Sequence, residues 1–423
     1  MDSPTTSGFS WPQWLRIAGA YFLHFSSLGF ASFPLQTHLR KVHSPALGSL
    51  IASVFPIAAI LTYFFFRYAE RRGWTRSPGL LLLCVASAVA LMQSALGLQL
   101  EFAASERPWI PPLLGTTACI LLLGCSQSSC MTILNHFGVS IMGPHAYSVR
   151  AAGSAGYMLA IILMGTLIPR FEAIGQYHLF LGASCAVLHT CFIAWNLRTL
   201  RSFTTYPAVS NQTAANHTET TNNSPNRNTR QIEKFLWAGL IALVWLVAFC
   251  EMSYGLYSHE FLTTNYQAYG YYLFAGGILF EILLLLILPH FPQIRKRLLF
   301  LGPLGWLMLF GSCFLVENGW WIFGAFNFAL ALNCPFQISA NETSHALHSN
   351  MLGVATMMLA QSLGYITATL TAAAIHYGKL SAPTQNLWNI QWTLAIAMAC
   401  IGIPLALAVR AFARRIEHRI EHH

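Results

Sequence analysis

The sequence predicts an all-α polytopic membrane protein with twelve transmembrane helices and both termini in the cytoplasm. Three observations carry that reading. Of 423 residues, 55% are hydrophobic and only 9% are charged, where a soluble domain carries about 25% charged residues. The chain breaks into apolar runs that, at about 1.5 Å rise per helical residue, are long enough to cross a hydrocarbon core roughly 30 Å thick. Finally, the 23 Lys and Arg residues fall unevenly between alternate turns. Basic residues concentrate on the cytoplasmic side of membrane proteins, so the net charge of +9 reports topology and gives no sign of a nucleic-acid partner.

Taken in order, the apolar segments span about 15–36, 45–66, 78–99, 110–133, 145–168, 177–197, 235–258, 267–289, 298–316, 319–338, 350–376 and 388–412. With twelve helices and both ends inside, the cytoplasmic side holds Arg16, Arg67, Arg71, Arg72, Arg76, Arg150, Arg198, Arg201, Arg227, Arg230 and Lys234. It also holds Arg295, Lys296, Arg297, Arg410, Arg414, Arg415 and Arg419, and the opposite face keeps Arg40, Lys41, Arg107, Arg170 and Lys379. An odd helix count would scramble that bias. Residues 203–230 form one long polar stretch of Asn, Thr and Ser without apolar periodicity, which reads as a flexible linker. It divides the chain into a bundle at 1–200, a cytoplasmic linker at 201–233 and a second bundle at 234–423. No cleavable signal peptide is evident. The expected location is the cell (inner) membrane, with the lipid bilayer as surroundings.

The eighth segment, Tyr271 to Pro289, carries Glu281 among almost unbroken apolar residues. A carboxylate at that depth costs at least ~2.5 kcal/mol on insertion scales and usually faces a partner or an aqueous route. The ten cysteines sit mostly inside apolar runs without a Cys-x-x-Cys pair, as buried small hydrophobes do. No Gly-rich phosphate loop, His-x-x-x-Asp pair or paired metal-ligand motif is present, and Asp2 is the only aspartate. Neither a metal nor a cofactor is expected, nor an enzyme.

Polar residues mark particular segments. The first holds His24, Ser26 and Ser27; the fourth holds Gln127, Met131 and Asn135 at i, i+4, i+8, one helical stripe. The seventh holds Glu251, Tyr254 and Ser258, and the tenth holds Trp320, Asn327 and Asn333. Segments three and twelve read as nearly free of strongly polar side chains.

Six helices plus six, a long central loop and basic turns after segments two and eight resemble the major facilitator superfamily, whose halves are repeats about an axis along the membrane normal. The turn Glu70-Arg71-Arg72-Gly73 with Arg76 resembles the superfamily's loop signature between helices two and three, although Phe66 stands where its first glycine would be. The resemblance implies a gating loop in which an acid pairs with arginines and helix ends across the two halves. It also implies that helices 1, 4, 7 and 10 line the centre.

Arg150, Gly153, Ser154, Gly156 and Tyr157 are similar to the Arg-x-x-Gly-[Ser/Thr]-x-Gly-[Phe/Tyr] run of the nucleoside:proton symporters and the phenylpropionate-permease group. Gly277 with Glu281 matches a Gly-x-x-x-Glu pattern of both groups. Ser253-Tyr254-Gly255-Leu256-Tyr257 looks like the second group's Ser-His-x-x-Tyr-Tyr segment, with Tyr254 in place of the histidine.

Those residues have a physical reading of their own. Gly153 and Gly156 let helix five approach a neighbour closely. Arg150 is a fixed positive fork, either facing the centre or reaching back to the interface. Desolvation favours a neutral acid and a nearby arginine favours a carboxylate, so Glu281 can load and unload a proton as its surroundings alternate. The expected function is proton-coupled symport of a small polar solute by a monomer, with nucleosides leading. Glu281 and Arg150 would couple the proton. Arg150, Ser154, Tyr157, Gln127, Glu251, Tyr254, Glu281 and Asn327 would contact the substrate. Sugar, oligosaccharide or aromatic-acid symport, a non-transporting receptor and an integral membrane enzyme stand as alternatives.

Overall fold

The computed structural model describes residues 11–42, 45–103, 112–142, 145–167, 177–202, 227–266, 269–295, 297–315, 319–347, 351–378 and 384–421. Each apolar segment is one long helix. They are α1 (Trp11–Val42), α2 (Pro45–Arg71), α3 (Pro78–Ala103), α4 (Pro112–Met142), α5 (Ala146–Leu167) and α6 (His178–Ser202), followed by α7 (Arg227–Tyr266), α8 (Tyr269–Ile287), α9 (Leu298–Leu315), α10 (Gly319–Leu347), α11 (Met351–Gly378) and α12 (Thr384–Glu421). Three of them open on proline, at Pro45, Pro78 and Pro112, where the missing N–H has no helical acceptor to lose. Among the described residues, nine helices are long and apolar enough to cross a membrane. Several run past their apolar spans. α7 starts at Arg227, ahead of the expected 235, because Arg-Asn-Thr-Arg-Gln-Ile-Glu-Lys is able to continue a helix in water. The linker residues 203–226 lie outside the described residues.

Packing within the first six helices has its counterpart within the last six. α1 packs on α5 and α6, α2 on α4, and α3 on α4 and α6; likewise α7 packs on α11 and α12, α8 on α10, and α9 on α10 and α12. Close helix approach explains the strongest of these pairs. A Cβ at Gly156 of α5 would run into the Phe22 carbonyl of α1, and one at Gly364 of α11 would come within 2.7 Å of the Ala248 Cβ on α7. Lipid tails give no hydrophobic drive between helices, so such small-residue contacts carry the packing.

The interior is not free of polar staples. Ser27 Oγ donates to Gln93 Oε1 at 2.8 Å while Gln93 Nε2 donates to the Ser27 carbonyl, tying α1 to α3. Gln391 Nε2 donates to Ser253 Oγ at 2.8 Å, tying α12 to α7. Gln93 and Gln391 therefore qualify the reading of segments three and twelve as nearly free of strongly polar side chains: one amide is enough to supply an interhelical bond. Ser27 serves that packing inside the first six helices.

Two seams join the halves, α5 with α8 and α2 with α11. The first is apolar at both ends. Tyr147 and Ala151 cluster with Leu285 and Leu288 at one end, and Ile161 clusters with Ala275 and Ile278 at the other. On α8 these residues recur at the spacing of one helical face. Glu281 falls in the middle of that face.

Candidate functional site

The opposite face of α8 is the one turned outward: Leu279, Phe280, Leu283, Leu286 and Ile287 are exposed. Glu281 instead meets α5, where the Ser154 hydroxyl donates a hydrogen bond to its Oε1. The spacing that puts Ser154 there is the one that puts Tyr147, Ala151 and Ile161 on the same side of α5. Two predicted residues thus share one contact, across the boundary between the two sets of six helices.

Arg150 stands one turn earlier on α5 and is only 8% exposed. Its guanidinium carbon lies 3.7 Å from the Phe25 ring centroid and 5.8 Å from that of Tyr21, both on α1. The side chain is buried against α1. Its charge acts on Glu281, Glu251 and Cys334, and its Nη1 has no hydrogen-bond partner. Cation–π contact on a desolvated ring holds a guanidinium in place without using its N–H groups. A Cβ at Gly153 would lie 2.9 Å from the Phe25 ring and 3.1 Å from Arg150 Nη1, so that glycine makes room for the arrangement.

Glu251 of α7 belongs to the same polar centre, which extends across α10 and α11. Gln337 Nε2 donates to its Oε2 at 3.3 Å, and Asn333, Gln361 and Tyr365 also hydrogen-bond it. Gln361 Nε2 in turn donates to the Tyr365 hydroxyl at 2.6 Å. Sequence reasoning missed Gln337, Gln361 and Tyr365. A signal was present: Asn333, Gln337 and Asn341 repeat on α10 the i, i+4, i+8 stripe of Gln127, Met131 and Asn135 on α4. Pro335 interrupts the α10 hydrogen-bond ladder within that stripe, because proline has no N–H for the carbonyl one turn back.

Other expected residues distribute as follows. Gln127 is buried with both amide atoms lacking hydrogen-bond partners, while Asn135 accepts from the Tyr21 hydroxyl at 3.0 Å. Tyr157 lies on the α5–α8 seam, 6.4 Å from the Phe274 ring. Tyr254 stands apart from these. It is 2% exposed, and Trp306, Phe310 and Trp392 of α9 and α12 surround its ring at centroid distances of 6.1, 6.5 and 6.2 Å. Three residues on a helix turn the direction by ~60°, enough to send Glu251 toward α10 and α11 and Tyr254 into an aromatic core. Asn327 and Trp320 lie on α10, and their side chains, like that of Arg76, lie outside the described residues.

In the expected gating loop, Gly73 adopts φ 73°, and its N–H bonds the Glu70 carbonyl at 3.0 Å. This is a left-handed helix stop that suits glycine. Glu70 and Arg71 are exposed. A contact across the halves uses different residues. The Tyr147 hydroxyl of α5 donates to Glu342 Oε2 of α10 at 2.7 Å, and Arg295, from the turn after α8, pairs with Glu342 Oε1 at 3.2 Å. Arg295 also lies 5.2 Å from the Tyr147 ring centroid. The basic turn after segment eight was legible in the sequence; its acidic partner, nearly fifty residues on, was not.

No protein-family model matches the sequence, and neither does any curated protein. Solved structures do. A mutant form of the nucleoside transporter NupG superposes with a TM-score of 0.64 at 14% identity, over 95% of this chain and 99% of the other. The proton:xylose symporter XylE, of the major facilitator superfamily, gives 0.65 at 13% identity over 94% and 95%. A bacterial homologue of the iron transporter ferroportin, in its outward-facing state, gives 0.62 at 12% identity over 94% and 99%. This chain has the major facilitator fold. At such identities the likeness speaks for the fold, and it agrees with a multi-pass membrane protein built from twelve long helices.

Proposed function

We propose that this protein is a proton-coupled symporter of a small polar organic solute, with nucleosides as the leading substrate, working by alternating access as a monomer in the cell membrane with both termini inside. The observation that carries the reading is the Ser154–Glu281 hydrogen bond on the seam between the halves, with the Arg150 charge acting on the same carboxyl. A membrane-embedded acid placed where two bundles slide past one another meets two environments in each cycle. In one, Ser154 and Arg150 hold the carboxylate; in the other, separation from them favours the protonated acid. Protonation then accompanies the conformational change, as coupling requires.

The solute's class follows from the charges. Arg150 is the only Lys or Arg buried among the described residues, and it acts on two carboxyls, Glu251 and Glu281. An anionic substrate would need more fixed positive charge than that, so a neutral solute with several hydrogen-bonding groups fits best. Gln127 offers a donor and an acceptor, and Arg150 offers an open N–H group. The names of NupG and XylE, a nucleoside transporter and a proton:xylose symporter, suit this class, and a sugar is the second reading. The residue set proposed for substrate contact is Arg150, Ser154, Gln127, Glu251, Glu281, Tyr157 and Asn327. Tyr254 is left out because other rings cover it.

The test is uptake by proteoliposomes under an imposed proton gradient. Labelled uridine should accumulate above its external concentration, and xylose should accumulate instead if the second reading holds. Failure of both, in protein shown to be folded and oriented, would point to a receptor or an enzyme and overturn the proposal.

A further inference from the structure

His24 of α1, Cys130 of α4 and His189 of α6 are buried together, at 1%, 0% and 1% exposure. One ligand atom from each lies within 4.8 Å of the others. The two imidazole rings stand 5.6 Å apart at an interplanar angle of 48°. Neither nitrogen of His24 has a hydrogen-bond partner, and His189 Nε2 has none. Buried polar nitrogens are nearly always paired, and leaving one unpaired costs about 1–3 kcal/mol. Three unpaired nitrogens on two rings gathered around one thiol is a costly arrangement for helix packing alone. The contrast within the molecule is direct: His376, in the last six helices, is paired with the Tyr257 hydroxyl at 3.2 Å.

We infer that His24, Cys130 and His189 form a binding site for a single thiophilic metal ion, and that Cu(I) is the ion its charge favours. Two imidazoles and a thiolate are the donor set of soft or borderline first-row ions. Metal–nitrogen bonds of about 2.0–2.1 Å and a metal–sulfur bond of about 2.3 Å place such donors roughly 3.5 Å apart. Drawing the three atoms together by about 1 Å would close the site. Cys130 gives its proton to solvent on binding.

Arg150 then selects the ion. Its guanidinium lies over the Phe25 ring, which packs edge-on against the His24 ring at 5.6 Å, so excess positive charge at the site is opposed. A monovalent ion with one thiolate is neutral, whereas a divalent ion leaves one positive charge beside the guanidinium. A three-coordinate, fully buried site also suits Cu(I) better than Zn(II), which almost always takes four ligands. Bound there, the ion would tie α1 to α4 and α6, stiffening the first bundle independently of any solute carried between the halves. Sequence spacing does not reveal the site, because each ligand comes from a different helix.

The experiment uses the full chain purified in detergent under reducing conditions, loaded with Cu(I) or, in parallel, Zn(II), desalted and analysed for metal per chain. We expect one copper retained by the wild type, at least tenfold less in Cys130→Ser and in His189→Asn, and a copper-dependent rise in Tm that both variants lose. X-ray absorption of the loaded wild type, which needs no variant to fold, should show one sulfur and two nitrogen neighbours. A wild type that keeps no copper, variants that keep as much as the wild type, zinc retained in preference to copper, or copper without a sulfur neighbour would each overturn the proposal.

Discussion

The two seams between the halves are equivalent in packing and unequal in charge. α5 runs against α8 and α2 against α11, each pair occupying the position of the other when the first six helices are matched to the last six. α5 and α8 bring Arg150, Ser154 and Glu281 to their seam. α2 carries no charged residue before Arg67, and α11 carries none. The repeat therefore accounts for how the helices pack, while the Arg150, Ser154 and Glu281 grouping has no charged counterpart on the facing stretches of α2 and α11. On the proposed function, one seam would be a bearing and the other would also handle the proton.

The most damaging way to probe that difference is Glu281→Gln, which keeps the shape and hydrogen bonding while removing the titratable group. We expect the accumulation ratio in gradient-driven uptake to collapse to about one, with counterflow of substrate retained and Tm little changed. Uphill uptake at the wild-type level would remove the distinction between the seams. Next comes close packing, where the halves should behave alike. Gly156→Val and Gly364→Val each force a side chain into a neighbouring helix, so each should destabilise by about 1–3 kcal/mol, the range for overpacked interiors, read as a lower unfolding midpoint. A large loss in only one would show that the mirrored contacts are unequal.

Arg150→Lys sharpens the assignment of the charged seam. A point charge neither stacks as well on Phe25 nor offers a planar fork, so substrate affinity should fall about three- to thirtyfold, on the order of 0.5–2 kcal/mol, measured by ligand-induced thermal shift. Tyr147→Phe removes one hydrogen bond between the halves, worth about 0.5–1.5 kcal/mol. Accessibility of a single engineered cysteine near Glu342 should rise by about two- to tenfold. Smallest of all should be Ser362→Ala on α11, where the hydroxyl only bonds the Met358 carbonyl of its own helix at 2.7 Å. Uptake and stability should stay near wild type.

The twelve helices were legible because hydropathy in a bilayer is a strong, local constraint: backbone polar groups must be satisfied within the segment, so long apolar runs are helices. Glu281 was legible for a related reason, since a lone acid in such a run is expensive. Arg150 and Ser154 stood out through a local motif. The partners of Glu251 were hidden because Gln337, Gln361 and Tyr365 are neutral, spread over two helices and united only by tertiary packing. Tyr254 misled because an aromatic ring in a polar stripe looks the same whether it faces a solute or three other rings. The Tyr147–Glu342 contact was invisible for want of any local spacing, and no spacing in the sequence joins His24 to His189.

The bracing of Arg150 on Phe25 bears on the proposed function. A guanidinium steadied by a carbon face leaves Nη1 open, where a carboxylate clamp would have occupied it. On that reading, a solute with a suitably placed oxygen or ring nitrogen would bind there without first breaking an internal bond.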